Sequence, residues 1–257
     1  MDILERVENF YNAYKGEKGV IGKSLFNRPI YYFAAGKSAR PKIIVQYAIH
    51  AREYLTSLLA LKHVADFCER GGNGKVYFIP MVNPDGIKIA ESENALYKAN
   101  GRGVDLNVNF DARWGEGKQN KRVVGDSDFI GEYPFSELET RALRDFTLEV
   151  KPDATVSYHA KGEEIYWEFF QEGRLKKINL MLAQKVSAVT GYAIKSTPFS
   201  CGGYKDWCID KLKIPSLTIE VGNDELCHPL PISELEKVYL RNKRVIFTVC
   251  DFMQRYV

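Results

Sequence analysis

The chain has 257 residues, of which 45% are hydrophobic and 27% are charged, with 36 lysines and arginines against 33 aspartates and glutamates. The resulting formal net charge of +3 lacks the basic excess that would by itself indicate a nucleic-acid partner. The five cysteines are odd in number and include no C-x-x-C pair, so neither a disulfide framework nor a cysteine-type structural zinc site is predicted.

The first residues, MDILERVENFYNAYKGEKG, form a charged amphipathic stretch without the apolar core of a signal peptide. No apolar run in the sequence is long enough to cross a bilayer. We therefore expect a soluble cytoplasmic protein with no membrane or nucleic-acid partner, and the sequence does not indicate an oligomeric state. No repeat or linker divides the chain, which predicts a single domain over residues 1–257.

In the first half of the chain, the short apolar runs Pro29–Ala35 and Lys42–Ile49 predict two buried strands. Glu53–Glu69 follows with apolar residues at helical spacing, and a Gly-Gly-Asn-Gly run ends that helix. Val76–Pro80 predicts another strand. Residues 83–133 are rich in Gly, Asn and Asp, which predicts long surface loops of the kind that often carry function.

The second half alternates further elements. Helices are predicted at Ser136–Val150, Gly173–Thr190, Tyr204–Leu212 and from Ile232 onward, and strands at Ala154–Tyr158, near Glu164–Phe169 and at Ser216–Val221. Strands that alternate with helices predict an α/β fold, with a central mixed, mostly parallel sheet flanked by helices.

Four polar side chains follow or end these strands. The strand Lys42–Ile49 is followed by His50, with Glu53 three residues later, and two other strands end on His159 and Glu220. Because ligands of open α/β sheets bind beyond the carboxyl ends of the strands, we expect these side chains to gather at one edge of the sheet.

Two histidines and a glutamate are an established ligand set for a catalytic zinc. His50, Glu53 and His159 therefore predict one zinc per chain, and Glu220 has the chemistry of a general base. The alternative is that both histidines are hydrogen-bonded strand-end residues and both glutamates are solvated. His63, in the middle of a helix, is expected to be a surface or packing residue, and His228 to belong to a loop.

Six short motifs occur in the order in which one enzyme family has them. They are His50-Ala51-Arg52-Glu53, Asn83-Pro84-Asp85-Gly86, Gly103-Val104-Asp105-Leu106-Asn107, Pro134-Phe135-Ser136-Glu137, Ser157-Tyr158-His159 and Thr218-Ile219-Glu220. Over roughly residues 40–222 the chain thus resembles the zinc carboxypeptidase family. The stretches Tyr158–Trp167 and Gly202–Trp207 are similar to a bacterial branch of γ-D-glutamyl-L-diamino acid endopeptidases, which cut cell-wall peptides.

The resemblance implies zinc on His50, Glu53 and His159 and a general base at Glu220, the same four residues that the strand ends select. It also implies that Asn107 binds a terminal carboxylate of the substrate, as the first residue of an Asn-Arg pair. This sequence has Val108 where the family has that arginine, so the bidentate fork for a carboxylate is missing.

Three further positions follow from the resemblance. Arg102 is the best local candidate for the arginine that holds the carbonyl oxygen as it gains charge, with a solvated loop arginine as the alternative. Lys205 stands where the family lines its specificity pocket, and a cation there would prefer acidic substrates; an exposed lysine is the alternative. The stretch Ser196–Ser200 has no counterpart of the mobile tyrosine of digestive family members.

The predicted function is a zinc metallopeptidase that acts on small peptides, by resemblance γ-D-glutamyl-diamino acid bonds of muropeptides. One alternative is an ordinary metallocarboxypeptidase that removes C-terminal residues, or an amidase of related fold. A second alternative is a catalytically inactive, zinc-containing peptide-binding protein.

Overall fold

The computed structural model describes residues 2–196 and 199–256, and in these residues eight strands form one mixed sheet. The strands are β1 (Glu17–Lys23), β2 (Pro29–Ala35), β3 (Lys42–Tyr47), β4 (Lys75–Ile79), β5 (Ala154–Ala160), β6 (Glu164–Tyr166), β7 (Ala193–Lys195) and β8 (Ser216–Val221). Their order across the sheet is β1-β2-β4-β3-β5-β8-β6-β7. The central strands β4, β3, β5 and β8 run parallel, and the pairs β1–β2, β2–β4 and β6–β8 are antiparallel.

Helices cover both faces of this sheet. They are α1 (Ile3–Ala13), α2 (Leu55–Arg70), α3 (Pro84–Ser92), α4 (Leu138–Val150), α5 (Gly173–Thr190), α6 (Tyr204–Asp210), α7 (Leu235–Asn242) and α8 (Val245–Met253), with short 3-10 turns at Ala51–Glu53, Leu106–Val108 and Ile232–Glu234. This arrangement confirms the predicted α/β fold with a mixed, mostly parallel sheet.

The central strands are buried on both faces by the helices. Because successive side chains of a strand point to opposite sides, each strand contributes to two cores. In β3, Ile43, Val45 and Tyr47 pack in one core with α2, α5 and α8, whereas Ile44 packs in the other core with α4 and α6. A strand buried in this way reads as a continuous apolar run, which is why the sequence predicted it well.

The prediction of long surface loops over residues 83–133 is wrong for its first part. Pro84–Ser92 forms α3, which begins at Asn83, whose side chain accepts a hydrogen bond from the Gly86 amide, with Pro84 in the first turn. The loops that follow are partly interior, since Asp105 and Phe110 are fully buried. Composition misled here because the Asn and Asp side chains serve as caps and internal hydrogen-bonding groups.

The remaining differences concern ends of elements and short elements. β3 ends at Tyr47, two residues before the predicted end, and the region from Ile232 is a 3-10 turn followed by two helices. The helix α1 and the edge strands β1 and β7 were not predicted. No helix in the described part of the chain has the length and apolarity needed to cross a membrane.

His63 lies inside the core and is a packing residue. The Tyr47 hydroxyl lies 2.8 Å from His63 Nδ1, and the Tyr47 ring stacks in parallel on Tyr158 with the ring centroids 4.9 Å apart. Burial lowers the pKa of His63 to about 3, so the folded protein keeps this ring neutral.

This burial predicts a loss of stability at acidic pH. In the unfolded chain His63 binds a proton below about pH 6.5, whereas the folded protein resists protonation down to about pH 3. Protons therefore favour the unfolded state over this range, by up to about 1.4 kcal/mol per pH unit. Urea unfolding between pH 5 and 8 should show a shallower pH dependence for His63→Gln, which keeps an acceptor for Tyr47. Identical slopes for both proteins would contradict this account.

Candidate active site

Three buried side chains converge at the carboxyl ends of β3 and β5. His50 Nδ1 lies 2.8 Å from Glu53 Oε1, and His159 Nδ1 lies 3.0 Å from Glu53 Oε2. The two histidine Nδ1 atoms are 3.2 Å apart, and the ligand atoms of all three residues lie within 4.8 Å of one another. The predicted gathering of His50, Glu53 and His159 at one sheet edge is thus present in the fold.

Local backbone structure brings His50 and Glu53 to the same point. The chain leaves β3, bends at Ala48 with a φ of 48°, and makes one 3-10 turn over Ala51–Glu53. The Thr56 hydroxyl accepts a hydrogen bond from the Ala48 amide and donates one to the Glu53 carbonyl, which holds the bend and the turn together. This turn brings together the side chains of His50 and Glu53, which are three residues apart.

The donor set fits a zinc ion. His50 Nε2 lies 3.1 Å from Asp105 Oδ1, so an Nε2–H bond to this carboxylate leaves the Nδ1 lone pair directed at Glu53 and His159. A carboxylate that accepts the second N–H of a metal-binding histidine is a common feature of zinc sites. Two imidazole nitrogens and one carboxylate are the ligands expected for a catalytic zinc, with a further position left for water.

Glu220 lies beside this cluster on the neighbouring strand. β8 runs parallel to β5, and Glu220 pairs in register with His159. Burial, together with the charge of Glu53, raises the pKa of the Glu220 carboxyl well above its usual value. A divalent cation bound between the histidines would act in the opposite direction and favour the ionised form.

A cleft of about 510 Å³ opens onto these residues, and both His50 and Glu220 line it. The predicted substrate-binding residues Asn107 and Lys205 also line the cleft, as does Val108. Tyr166, on β6, contributes an aromatic side chain to the wall. The stretch in which a tyrosine was sought, Ser196–Ser200, is only partly described, because residues 197 and 198 lie outside the described part of the chain.

Arg102 is not among the described residues that line this cleft. Its side chain is 47% exposed, and the guanidinium lies 3.8 Å from Glu132 and 3.9 Å from Glu137. The fold therefore does not bring Arg102 to the residues of this cleft, and its nearest charged groups are these two glutamates.

Lys98 is the cation that the sequence argument missed. Its Nζ lies 2.6 Å from Asp105 and 2.6 Å from Asp128, and it lines the cleft near His50. Burial disfavours its charge, but Asp105 and Asp128 outweigh burial and raise the pKa of Lys98, so it stays protonated. Asp105 belonged to a recognised motif, whereas no motif marked Lys98.

Lys205 is buried, which rules out the alternative of an exposed lysine. Its side chain is 7% exposed, and its Nζ donates hydrogen bonds to Asp206 Oδ1 at 2.5 Å and to the Glu168 carbonyl at 3.0 Å. An ammonium group has three N–H donors, so one donor is left for a ligand in the cleft. Nearby, the Asn107 side-chain oxygen accepts from the Tyr204 amide, which leaves the Asn107 NH₂ group as a donor.

The zinc carboxypeptidase family model matches residues 12–244, which extends the resemblance well beyond residues 40–222. The chain belongs to the zinc carboxypeptidase family. It is accordingly a zinc metallopeptidase, as predicted, and zinc is its metal cofactor. The roles assigned to individual residues of the site stay predictions.

Two bacterial proteins are among its curated relatives. The chain is 29% identical to γ-D-glutamyl-L-diamino acid endopeptidase 1 of Lysinibacillus sphaericus, over 93% of this chain and 68% of that protein. It is also 29% identical to murein peptide amidase A of Escherichia coli K12, over 79% of this chain and 82% of that protein. Both matches agree with the predicted bacterial branch.

Solved structures of the family share the fold. Bovine thrombin-activatable fibrinolysis inhibitor in complex with tick carboxypeptidase inhibitor superposes with a TM-score of 0.88 at 21% identity, covering 100% of this chain and 98% of that one. Murein-tripeptide amidase MpaA from Escherichia coli O157 gives a TM-score of 0.68 at 22% identity, covering 93% of this chain and 95% of that one.

The geometry of the cluster leads to a prediction about metal content. We expect about one zinc per purified chain, and we expect His159→Ala to lose most of it, since two ligands hold the ion less tightly than three. Elemental analysis measures zinc, and circular dichroism checks folding. His228→Ala, a change of the same type in the loop that follows β8, serves as the matched control and should retain zinc. A folded His159→Ala protein with full zinc content would contradict the ligand assignment.

Proposed function

We propose that this enzyme hydrolyses γ-D-glutamyl-diamino acid bonds in small peptides derived from peptidoglycan. The observation that carries the proposal is the convergence of His50, Glu53, His159 and Glu220 beside a cleft that is lined by further ionic groups. The names of the two bacterial relatives, a γ-D-glutamyl-L-diamino acid endopeptidase and a murein peptide amidase, support this substrate class.

In this proposal His50, Glu53 and His159 hold the zinc, which when bound polarises a carbonyl group and lowers the pKa of a water molecule toward about 7. Glu220 removes a proton from the attacking water and later delivers it to the leaving amine. Its carboxyl suits this cycle because it lies in the cleft wall, beside His159 in the sheet.

Lys98, and not Arg102, supplies the positive charge near the reacting carbonyl. Its ammonium is held between Asp105 and Asp128, and Asp105 also binds His50, so the charge has a fixed position relative to the zinc ligands. A fixed charge stabilises a developing oxyanion without reorganisation during the reaction.

Asn107 and Lys205 bind an acidic group of the substrate. The remaining donors of both side chains are available in the cleft, and Val108 adds an apolar surface where a carboxylate fork is absent. One Lys205 N–H and one amide make a weaker carboxylate site than a guanidinium fork. Such a weaker site favours substrates that the enzyme also binds through groups other than the acidic one.

Removal of the general base should separate chemistry from metal binding. We expect Glu220→Gln to keep its zinc while the turnover number falls about 100-fold, because the amide is isosteric with the carboxylate and cannot accept the proton. Glu225→Gln, at an exposed position on the following loop, is the matched control. Unchanged turnover in Glu220→Gln would move the base to Glu163 or Glu164, whereas loss of zinc would make Glu220 a ligand.

The choice between the two cations is tested by one pair of variants. Lys98→Met keeps an unbranched side chain of similar size but removes the charge, and we expect kcat to fall about 100-fold, the usual scale for one lost oxyanion donor. Arg102→Met removes a charge from the same loop outside the cleft. A large loss of kcat in Arg102→Met with normal kcat in Lys98→Met would restore the assignment made from sequence.

Specificity is tested with paired substrates, acidic and amidated, followed by mass spectrometry of the products. We expect cleavage of the γ-D-glutamyl bond, and Lys205→Met should raise KM about 10-fold, or about 1.4 kcal/mol, for the acidic substrates only. Lys211→Met, at the exposed end of α6, is the matched control. Release of C-terminal residues alone would indicate an ordinary carboxypeptidase, and no hydrolysis of the panel by zinc-loaded protein would indicate a peptide-binding protein.

A further inference from the structure

A buried polar cluster outside the cleft lining includes Ser136 and Glu137, to which the proposed reaction assigns no role. Its members Asn100, Glu137 and Glu139 are at most 2% exposed. Asn100 Nδ2 donates hydrogen bonds to Glu137 Oε2 at 2.8 Å and to Glu139 Oε2 at 3.3 Å. Two carboxyl groups of the α4 N-terminal region therefore hold one asparagine.

Asn100 in turn closes a tight loop. Its side-chain oxygen accepts the amides of Arg102 and Val104, each at 3.0 Å. Its main chain accepts from Gly103 and donates to Val104, and the Tyr97 hydroxyl also binds the Asn100 carbonyl. Each polar group of Asn100 is thus engaged, and the loop 100–104 has one defined shape.

This loop separates the two charged residues that meet in the cleft. Lys98 precedes it and Asp105 follows it, and their side chains form the 2.6 Å ion pair beside His50. The backbone on the Lys98 side is tied to the zinc-ligand turn, because the Lys98 carbonyl accepts the Ala51 amide at 2.9 Å. The shape of the loop therefore fixes the position of Lys98 relative to Asp105.

The two glutamates differ in their hydrogen bonds. The Glu137 carboxylate accepts the Ser136 hydroxyl as well as Asn100, whereas Glu139 Oε1 has no hydrogen-bond partner among the described residues. Burial, and then the charges of Glu137 and Asp85, raise the pKa of Glu139 to about 7. A raised pKa at Glu139 lessens the repulsion between two carboxyl groups that share the two N–H groups of one amide.

We infer that Asn100, held by Glu137 and Glu139, is a positioning residue for Lys98, and that it sets the place of the Lys98 ammonium in the reaction. This inference rests on the proposed function of Lys98. Asn100 itself does not line the cleft, so it acts through the loop and not on the substrate. Displacement of a catalytic group by about 1 Å can cost about 100-fold in rate.

A double-mutant cycle tests the inference, with kcat and KM measured for the single variants Asn100→Ala and Lys98→Met and for the double variant. We expect Asn100→Ala to lower kcat about 10- to 100-fold in the wild-type background. In the Lys98→Met background the same change should cost less than about 3-fold, because the group that it positions is already absent. A purely structural role for Asn100 would give the same fold-loss in both backgrounds.

A second pair of variants covers the case in which Asn100→Ala fails to fold. Glu137→Ala removes one of the two acceptors of Asn100, whereas Glu137→Gln retains an acceptor for Asn100 and should recover most of the lost kcat. Glu132→Gln, in the loop before α4 and with a side chain that is 70% exposed, is the matched control. Zinc content and melting temperature are measured for every variant.

The outcomes separate this inference from the proposed function. Normal kcat in Lys98→Met would refute the role of Lys98 and the inference with it. A reduced kcat in Lys98→Met, combined with an undiminished effect of Asn100→Ala or Glu137→Ala in that background, would overturn the inference alone. Normal kcat in both Asn100→Ala and Glu137→Ala would overturn it as well.

Discussion

The candidate active site depends on the parallel pairing of β3, β5 and β8. Parallel strands end at the same edge of a sheet, so groups that follow or end neighbouring strands become neighbours in space. His159 and Glu220 are paired in register on β5 and β8, and His50 follows β3 on the other side of β5. Apolar cores on both faces of these strands hold that register, because a slip of one residue would turn every side chain to the opposite face.

Burial of charged groups is the main unfavourable contribution of such a site to the free energy of folding. In this cleft each buried cation is offset by a partner of opposite charge. Asp105 lies between His50 and Lys98, Lys98 lies between Asp105 and Asp128, and Lys205 lies against Asp206. Burial of an unpaired charge would be strongly unfavourable, so each cation has a carboxylate at hydrogen-bond distance. The same pairing gives every charge a defined position, which is what electrostatic stabilisation of a reaction requires.

The motifs that lie in the sequence between His50 and His159 are structural supports as well as sequence markers. Asn83 caps α3 and donates hydrogen bonds to the carbonyls of Ile49 and Ala99, which joins the chain before His50 to the loop that follows Lys98. Gly86 is required at this contact because a Cβ there would lie 2.2 Å from the Ala99 carbonyl oxygen. The interior loops thus use Asn and Asp where a helix or strand would use backbone hydrogen bonds.

The sequence by itself determined the α/β class, the central strands and the four groups at their ends. These features follow from local patterns. Apolar runs indicate buried strands, and a polar residue at the end of such a run lies at the carboxyl edge of the sheet. Helix α5 was predicted with the bounds that it has, because its apolar spacing and the following glycine act locally.

Only the tertiary structure decided which cation enters the cleft and how Lys205 is paired. Lys98 and Arg102 lie four residues apart in one loop, and nothing in their spacing distinguishes them. Their positions depend on contacts between residues distant in sequence: the Ala51 amide that binds the Lys98 carbonyl, and the Glu137 and Glu139 carboxyls that bind Asn100. Such contacts form only when the sheet brings these segments together, and for this reason local sequence patterns carry no signal of them.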